Sequence, residues 1–83
     1  MIHYVLGFHF SADGKRVTLI EKNRGPTEVV GRWNGIGGKR GHGEPPEDAM
    51  VREGSEEAAL SVEWEHMGHF RGDGYTVDLF RAF

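Results

Sequence analysis

The feature that most limits how this chain can fold is a glycine-rich segment directly before its one predicted helix. Of the 13 glycines among 83 residues, six lie between Gly31 and Gly43. Glycine at this density disfavours a helix and predicts a loop, which includes the run Gly35-Ile36-Gly37-Gly38-Lys39. The pair Pro45-Pro46, followed by two acids, is typical of a helix start and predicts a helix over about residues 46–59.

Strand-like segments precede the predicted helix. Aromatic and β-branched residues predict strands at residues 2–10, 16–21 and 28–33. The turn signal Asp13-Gly14 joins the first two segments, which are therefore predicted to form a β-hairpin.

Further strand-like segments follow the helix. Residues 60–70 are predicted to be extended, Gly72-Asp73-Gly74 to form a turn, and residues 75–80 to form a strand. Strands, one helix and then strands predict an α+β fold with a mixed or antiparallel sheet, in one small domain.

Composition and charge exclude several classes of protein. The net charge of −3 argues against binding along a nucleic-acid duplex, so any nucleic-acid component of a substrate is expected to be a nucleotide. The absence of cysteine excludes disulfides and cysteine-bound zinc and fits a reducing compartment, so we expect a cytoplasmic protein. No apolar run approaches the roughly 20 residues that span a bilayer, so no membrane partner is expected.

Three glutamates, Glu53, Glu56 and Glu57, lie on two consecutive turns of the predicted helix. Like charges three or four residues apart destabilise a helix by about 0.2–0.5 kcal/mol per pair, so the cluster indicates a bound cation. Carboxylate oxygens favour Mg²⁺, Mn²⁺ or Ca²⁺, and Mg²⁺ commonly joins one or two carboxylates to substrate phosphates. Arg52 is placed to pair with Glu56 at i,i+4, and the glycine backbone nearby could contact a metal or a phosphate. The alternative is a solvated acidic helix face beside a turn.

The spacing extends this cluster into a longer pattern. Gly38 is followed after five residues by Glu44, after seven more by Arg52-Glu53, and after two more by Glu56-Glu57. This resembles the signature of the Nudix hydrolases, Gx5Ex7REUxEExGU, in which U is a bulky aliphatic residue. The resemblance covers residues 38–60.

Two positions depart from that signature. Gly54 stands where the family has an aliphatic residue, which is expected to weaken helix packing and to lose a core side chain. Ala59 stands where the family has glycine, which puts the usual positive-φ turn at the helix end in doubt. Neither departure removes a carboxylate.

The resemblance implies a role for each matching position. Two divalent cations, Mg²⁺ or alternatively Mn²⁺, would spread the charge on a pyrophosphate while water attacks a nucleoside diphosphate linked to another moiety. Glu53 is a candidate for the base that activates the water, and Glu44 and Arg52 would orient the helix and its loop. The implied catalytic residues are Glu53, Glu56, Glu57 and Arg52, and the implied metal ligands are Glu53, Glu56, Glu57 and the carbonyl of Gly37 or Gly38.

The segment before the signature narrows the resemblance. The run Trp33-Asn34-Gly35-Ile36-Gly37-Gly38-Lys39 resembles the Trp-Asn-Gly-x-Gly-Gly-Lys run of the MutT-like branch, which sanitises the nucleotide pool. The asparagine of that branch contacts the base, which implies the same for Asn34. Lys22 would face the phosphates, and Lys39 is a further substrate-binding candidate. The alternatives are a loop-capping role for Asn34 and a solvated strand-end position for Lys22.

The resemblance also implies an architecture, in which the signature helix packs on a mixed sheet. Residues 1–83 are expected to form a single Nudix-like domain, a partial α/β/α sandwich without the usual C-terminal strands and second helix. Residues 75–83 would then be an unpaired edge strand able to template another chain. Three explanations stay open: a homodimer that completes the sheet, a compact minimal variant with reduced activity, and a sequence that lacks a C-terminal part.

Two functional classes therefore compete. The first is a Mg²⁺-dependent hydrolase that cleaves a nucleoside triphosphate, modified or not, to a monophosphate and pyrophosphate. The second is a nucleotide- or partner-binding module that keeps the signature with weak turnover or none. Retention of all three carboxylates and of the glycine run favours the enzyme.

The histidines and aromatic residues carry weaker signals. The five histidines share no metal-ligand spacing, and most are predicted to be surface or strand residues. The aromatic residues predicted to lie in the core or in a cleft wall are Trp64, Phe8, Phe10, Phe70 and Phe80.

Overall fold

The computed structural model describes residues 1–21 and 33–83, with side-chain positions for residues 1–19 and 35–83. The predicted strand at 28–33 therefore lies mostly outside the described residues. Within the described part, no helix has the length and apolar character needed to cross a membrane. The elements are β1 (Ile2–Phe10), β2 (Val17–Thr18), β3 (Ile20–Glu21), β4 (Trp33–Asn34), β5 (Ile36–Lys39), α1 (Pro46–Ala58), β6 (Glu65–Gly72) and β7 (Tyr75–Ala82).

Strand β1 is the centre of a mixed sheet that has five strands among the described residues. It pairs in parallel with β7 along almost its full length, from Ile2 opposite Tyr75 to His9 opposite Ala82. Its other partners, β2 and β5, are antiparallel to it. Strands β3 and β4 form a separate two-stranded sheet. The α+β prediction with a mixed sheet is confirmed.

The prediction that the last strand is an unpaired edge is wrong. Strand β7 pairs with β1 on one side and with β6 on the other, so among residues 1–21 and 33–83 the outer strand is β6. The reason is the burial pattern, because alternate residues of β7 are buried whereas every residue of β6 is exposed or half-buried. The strand with the regularly buried face, which includes Phe80 and Ala82, takes the interior position in the sheet. The predicted turn is confirmed, and its tip is Asp73-Gly74.

The prediction that the glycine-rich run is a loop is wrong for residues 36–39. They form β5, with Ile36 opposite Gly7 and Lys39 opposite Tyr4. A Cβ atom at Gly37 would collide with the backbone carbonyl of Val5. Glycine is needed here for close approach of two backbones, which is a recognised use of glycine inside a strand.

The boundaries of the other predicted strands also shift. The hairpin of β1 and β2 is confirmed, with residues 11–16 as its connection and a hydrogen bond of 2.9 Å from Ser11 N to Arg16 O. The predicted strand at 16–21 divides into β2 and β3. The segment 60–70 is strand only from Glu65 onward, because Leu60 and Trp64 pack against the core before the sheet resumes.

Helix α1 covers one face of the sheet and closes the core. The core side chains of the sheet come from three strands, and Ala49 and Met50 of the helix are fully buried against them. Pro45 precedes the first turn, and the acids of that turn suit the positive end of the helix dipole. The buried core cluster consists of Val5, Ile36, Ala49, Met50 and Phe80.

The helix end keeps a positive-φ turn although it lacks the glycine of the signature. Ala59 lies in the left-handed region, with φ 53° and ψ 32°. The N–H groups of Ala59 and Leu60 donate to the carbonyls of Ser55 and Gly54 at 3.1 and 3.0 Å. The doubt that the sequence raised about this turn is therefore wrong. The left-handed conformation of a residue with a Cβ costs roughly 1–2 kcal/mol, so the turn is formed under strain.

The expected packing defect at Gly54 is also absent among the described residues, because the indole of Trp64 occupies the space. A Cβ atom at Gly54 would lie 3.1 Å from the Trp64 ring, and one at Gly7 would lie 2.8 Å from it. The side chain that the signature places on the helix is replaced by one that follows the helix. Of the aromatic residues predicted to lie in the core or a cleft wall, Phe80 is in the core and Trp64 packs against it, whereas Phe70 is 49% exposed and lies outside the core.

Candidate active site

The guanidinium of Arg52 is the centre of a hydrogen-bond network in the candidate site. Its Nε and Nη2 atoms donate to the two carboxylate oxygens of Glu44, both at 3.0 Å. Glu44 also accepts from the Gly41 N–H at 2.8 Å. We call the Glu44 carboxylate and the Arg52 guanidinium the Glu44–Arg52 clamp. The hydrogen bonds from Arg52 and Gly41 lower the pKa of Glu44 to about 2, and the bond to Glu44 raises the pKa of Arg52 above its ordinary value.

The remaining donors of Arg52 reach the carboxylate cluster and β5. Nη1 donates to Glu53 Oε1 at 2.9 Å and to Glu56 Oε2 at 3.3 Å. Nη2 donates to the carbonyl of Lys39 at 3.1 Å. The predicted i,i+4 pair of Arg52 and Glu56 is present, but its bond is longer than those to Glu44 and Glu53. The fork of the guanidinium therefore ties the helix to β5 and fixes one oxygen of Glu53.

Glu53 and Glu57 face each other against the glycine backbone of β5. A Cβ atom at Gly38 would lie 2.7 Å from Glu53 Oε1, so only glycine leaves room for this carboxyl group. The Gly37 N–H donates to Glu57 Oε1 at 3.0 Å. The carboxyl groups of Glu53 and Glu57 are neighbours, and Glu57 raises the pKa of Glu53. We call these two side chains the Glu53–Glu57 pair.

The electrostatics of this pair are opposite to those of the clamp. The Glu53 side chain is only 12% exposed. Burial raises the pKa of Glu53, the neighbouring Glu57 raises it further, and the Arg52 guanidinium opposes both effects. A carboxyl group with a raised pKa can hold a proton that a neighbouring ligand or cation would displace.

Glu56 shares the Arg52 Nη1 donor with Glu53 but is much more exposed than Glu53. Its side chain is 59% exposed and contacts Arg52. Within residues 1–21 and 33–83, no group of three or more His, Cys, Asp or Glu side chains is arranged to hold a metal ion. The structure therefore brings together Glu53, Glu57 and the Gly37-Gly38 backbone, and it leaves Glu56 outside that group.

The predicted substrate-binding residues are described to different extents. Lys39 is exposed at the end of β5, and strand alternation directs its Cβ to the sheet face opposite that of Gly38. The backbone of Asn34 pairs with Ile20 in the small sheet. Lys22 lies outside the described residues. The roles of these three residues stay predictions.

A second polar cluster was missed by the sequence interpretation. Asp78 of β7 is 5% exposed, and its Oδ1 accepts from His66 Nε2 at 2.9 Å and from His69 Nδ1 at 3.1 Å. An irregularity of β6 between His66 and Gly68 lets both histidines reach the same carboxylate. Burial raises the pKa of Asp78, but the bonds from the two histidines outweigh it and leave the pKa lowered. The available signal was an aspartate at an alternate, inward position of an apolar strand.

Comparisons with known proteins agree with this architecture. The sequence matches the NUDIX domain family over residues 4–82. It is 50% identical over 56 residues to the oxidized purine nucleoside triphosphate hydrolase of Mus musculus, covering 66% of this chain and 35% of the mouse protein. This chain therefore spans about a third of the length of that curated relative.

Solved structures share the fold. A MutT structure from a study of the Aliivibrio salmonicida and Vibrio cholerae proteins has a TM-score of 0.82 and 34% identity, covering 98% of this chain and 64% of its own. A MutT/nudix family protein of Enterococcus faecalis has a TM-score of 0.83 and 20% identity, covering 99% of this chain and 36% of its own. At 20% identity the second likeness supports the fold alone.

Proposed function

The chain belongs to the NUDIX domain family, and from this premise we propose that it hydrolyses a nucleoside diphosphate linked to another moiety. The favoured substrate is a nucleoside triphosphate, modified or not, which would yield a monophosphate and pyrophosphate. The mouse relative is named an oxidized purine nucleoside triphosphate hydrolase, which supports this choice of substrate class. We also propose that the protein acts in the cytoplasm, since a cysteine-free chain suits a reducing compartment.

The observation that carries the proposal is the Glu53–Glu57 pair, held on the glycine backbone of β5 by the neighbouring clamp. Glu53 is buried beside Glu57, which raises its pKa, and the Gly37 N–H holds Glu57; a perturbed carboxyl pair of this kind supports a functional site. Glu53 is our candidate for the group that takes the proton of the attacking water. In that step a bond forms between the water oxygen and phosphorus. The P–O bond that joins the monophosphate part of the substrate to the pyrophosphate part breaks, and pyrophosphate leaves.

The donor chemistry of the pair fits a hard divalent cation. Glu53 and Glu57 offer carboxylate oxygens, which are the ligands that Mg²⁺ and Mn²⁺ prefer, and a bound cation would offset the cost of placing the two groups together. Glu56 and the carbonyl of Gly37 or Gly38 are the further ligands we propose. The bound cation would stabilise charge that develops on the phosphates. Arg52 would keep Glu53 in one orientation, through its 2.9 Å bond to Oε1.

The remaining substrate contacts follow the MutT-like pattern. We propose Asn34 for the base and Lys22 and Lys39 for the phosphates. A nucleotide is the expected ligand, and neither a nucleic-acid duplex nor a membrane is an expected partner. The possible homodimer of the sequence interpretation stays a prediction, and its pairing edge would be β6, not β7.

A panel assay tests this proposal. Purified protein is incubated with ordinary and oxidised nucleoside triphosphates and Mg²⁺ or Mn²⁺, and the monophosphate and pyrophosphate are quantified by chromatography. Glu53→Gln and Glu57→Gln should abolish the release, whereas Glu63→Gln, an exposed residue beyond the helix, should preserve it. Folded, metal-loaded protein that hydrolyses no member of the panel would exclude the proposed activity.

The outward position of Glu56 favours a second candidate, a nucleotide-binding module that keeps the signature without turnover. Calorimetry with the same nucleotides separates the two candidates. Binding with micromolar or tighter affinity and no product would support the module, while product formation would exclude it.

A further inference from the structure

We propose that Arg40 is a positioning residue for the Glu44–Arg52 clamp, and that Asp78 of β7 anchors Arg40 to the sheet. The inference rests on the proposed hydrolase, because its consequence for turnover passes through Arg52 and Glu53. The signature places nothing at either Arg40 or Asp78. The contacts of these two residues in this chain carry the argument.

Asp78 is suited to be an anchor because it is both buried and charged. It lies in the interior strand β7, opposite Val5 of β1 and His69 of β6. Its Oδ1 is occupied by His66 and His69, and its Oδ2 lies 4.0 Å from Arg40 Nη1. A carboxylate held on one side by two ring nitrogens has a fixed direction toward the third group. A buried carboxylate in turn needs positive partners, which favours keeping Arg40 beside it.

Arg40 connects Asp78 to Glu44, the carboxylate residue of the clamp. Its backbone N–H donates to the carbonyl of His3 at 2.8 Å, which continues the pairing of β1 with β5 by one residue. Its side-chain Nε donates to the carbonyl of Glu44 at 3.0 Å. The same guanidinium therefore contacts Glu44 and lies at ion-pair distance from Asp78. The Arg40 side chain is 25% exposed, so solvent screens these interactions only in part.

The effect reaches the Glu53–Glu57 pair through Glu44. Its backbone is held by Arg40, and its carboxylate holds Arg52 with two bonds of 3.0 Å. Arg52 in turn donates to Glu53 Oε1. If Arg40 releases the Glu44 backbone, the clamp loses one of the supports that set its position, and Glu53 loses its fixed orientation. A planar fork with several donors can serve both contacts, which a lysine ammonium on a flexible stem serves less well.

The test follows the clamp directly and does not depend on turnover. NMR measures hydrogen exchange of the Arg52 Nε–H, which donates to Glu44 Oε2, in protein without nucleotide or metal. Arg40→Met and Asp78→Asn should each accelerate this exchange about tenfold, the size expected for loss of one charge-assisted hydrogen bond. Arg40→Lys should give an intermediate rate. Arg16→Met, which removes an exposed arginine of the β1–β2 connection, should leave the rate unchanged.

Kinetics provide the second measurement. Arg40→Met and Asp78→Asn should lower kcat about tenfold and leave KM unchanged, because they affect orientation of Glu53 and not substrate contacts. The kcat of the double variant should be no lower than that of either single variant, as expected if Asp78 acts on the clamp only through Arg40.

Equal exchange rates in Arg40→Met and Arg16→Met would overturn the inference, whatever the turnover. Absence of turnover in the wild type would instead exclude the proposed function, and the exchange rates would still decide the role of Arg40. Should Arg40→Met fail to fold, Arg40→Lys keeps the charge and the aliphatic stem. An unchanged exchange rate in Arg40→Lys together with an unchanged rate in Asp78→Asn would then overturn the inference.

Discussion

The Glu44–Arg52 clamp and the Glu53–Glu57 pair lie side by side, yet their charges are balanced in opposite ways. In the clamp a carboxylate meets a guanidinium through two bonds of 3.0 Å, and the pKa of Glu44 falls to about 2. In the pair two carboxyl groups face each other, and the pKa of Glu53 rises. The clamp is an arrangement that favours the charged forms of both its groups, whereas the pair carries an electrostatic cost, which is consistent with the chemistry we propose for it.

The largest expected effect is on turnover when the pair is broken. Glu53→Gln should lower kcat about 10²–10⁴-fold, the range for loss of a general acid or base. Its melting temperature should equal or exceed that of the wild type, because removal of one of two facing carboxyl groups relieves repulsion. Steady-state kinetics and thermal unfolding followed by circular dichroism measure the two quantities. An unchanged kcat with a lower melting temperature would show that the pair stabilises the fold and does not serve catalysis.

A smaller effect on kcat is expected when the Glu53 carboxyl group is displaced but kept. The new methyl group of Gly38→Ala would lie 2.7 Å from Glu53 Oε1 and force the carboxyl group to shift. Since a misplacement of about 1 Å can cost roughly 10²-fold in rate, kcat should fall by about that factor. Gly68→Ala is the matched control, because a Cβ at this strand glycine meets open space. Equal kcat values for the two variants would show that Glu53 does not depend on β5.

The acid dependence of stability tests the clamp. The unfolded chain has an ordinary glutamate pKa of 4.5 and binds a proton that the folded Glu44, with a pKa of about 2, resists. The contribution of Glu44 is therefore complete above pH 4.5 and is lost as the pH falls from 4.5 to about 2. Urea unfolding of the wild type and Glu44→Gln over this pH range isolates the contribution as a difference curve. A flat difference curve would contradict the clamp's stabilising role.

The smallest effect is expected at the helix end, at Ala59, which contributes no side chain to the clamp or to the pair. Ala59→Gly should raise the free energy of unfolding by about 1 kcal/mol, because glycine adopts the left-handed conformation without strain. Turnover should not change, so the gain would be independent of both clamp and pair. Ala58→Gly, at the last helical residue, is the control and should destabilise the fold by up to about 1 kcal/mol. Urea unfolding measures both variants.

The sequence predicts best where the cause is local. The start of α1 follows from Pro45-Pro46 and the acids after it, and β1 follows from a continuous run of strand-forming residues. The spacing from Gly38 to Glu57 is likewise local information, and it is enough by itself to indicate the family. Each of these signals comes from residues within one element or in two elements that are adjacent in the sequence.

The sequence predicts poorly where one residue type serves two purposes. Glycine permits a loop, but it also permits close pairing of strands, and only the presence of β1 beside Gly37 decides between them. The order of β6 and β7 depends on which strand fits beneath α1, a property of the whole sheet. The partners of Asp78 come from β6 and from Arg40, so the cluster exists only after these segments pair.

The parallel pairing of β1 with β7 has a consequence for how the protein folds. Ile2 lies opposite Tyr75, and its N–H donates to the carbonyl of Gly74, so the central ladder of the sheet joins residues separated by almost the whole described sequence. Contacts of such high sequence separation must close a long loop before they contribute stability, and they slow folding. On the ribosome β1 emerges well before β7, the strand with which it pairs over the greatest length. Until then the apolar residues of β1 stay available to other chains, and this nascent stage is where we expect the protein to need chaperones most.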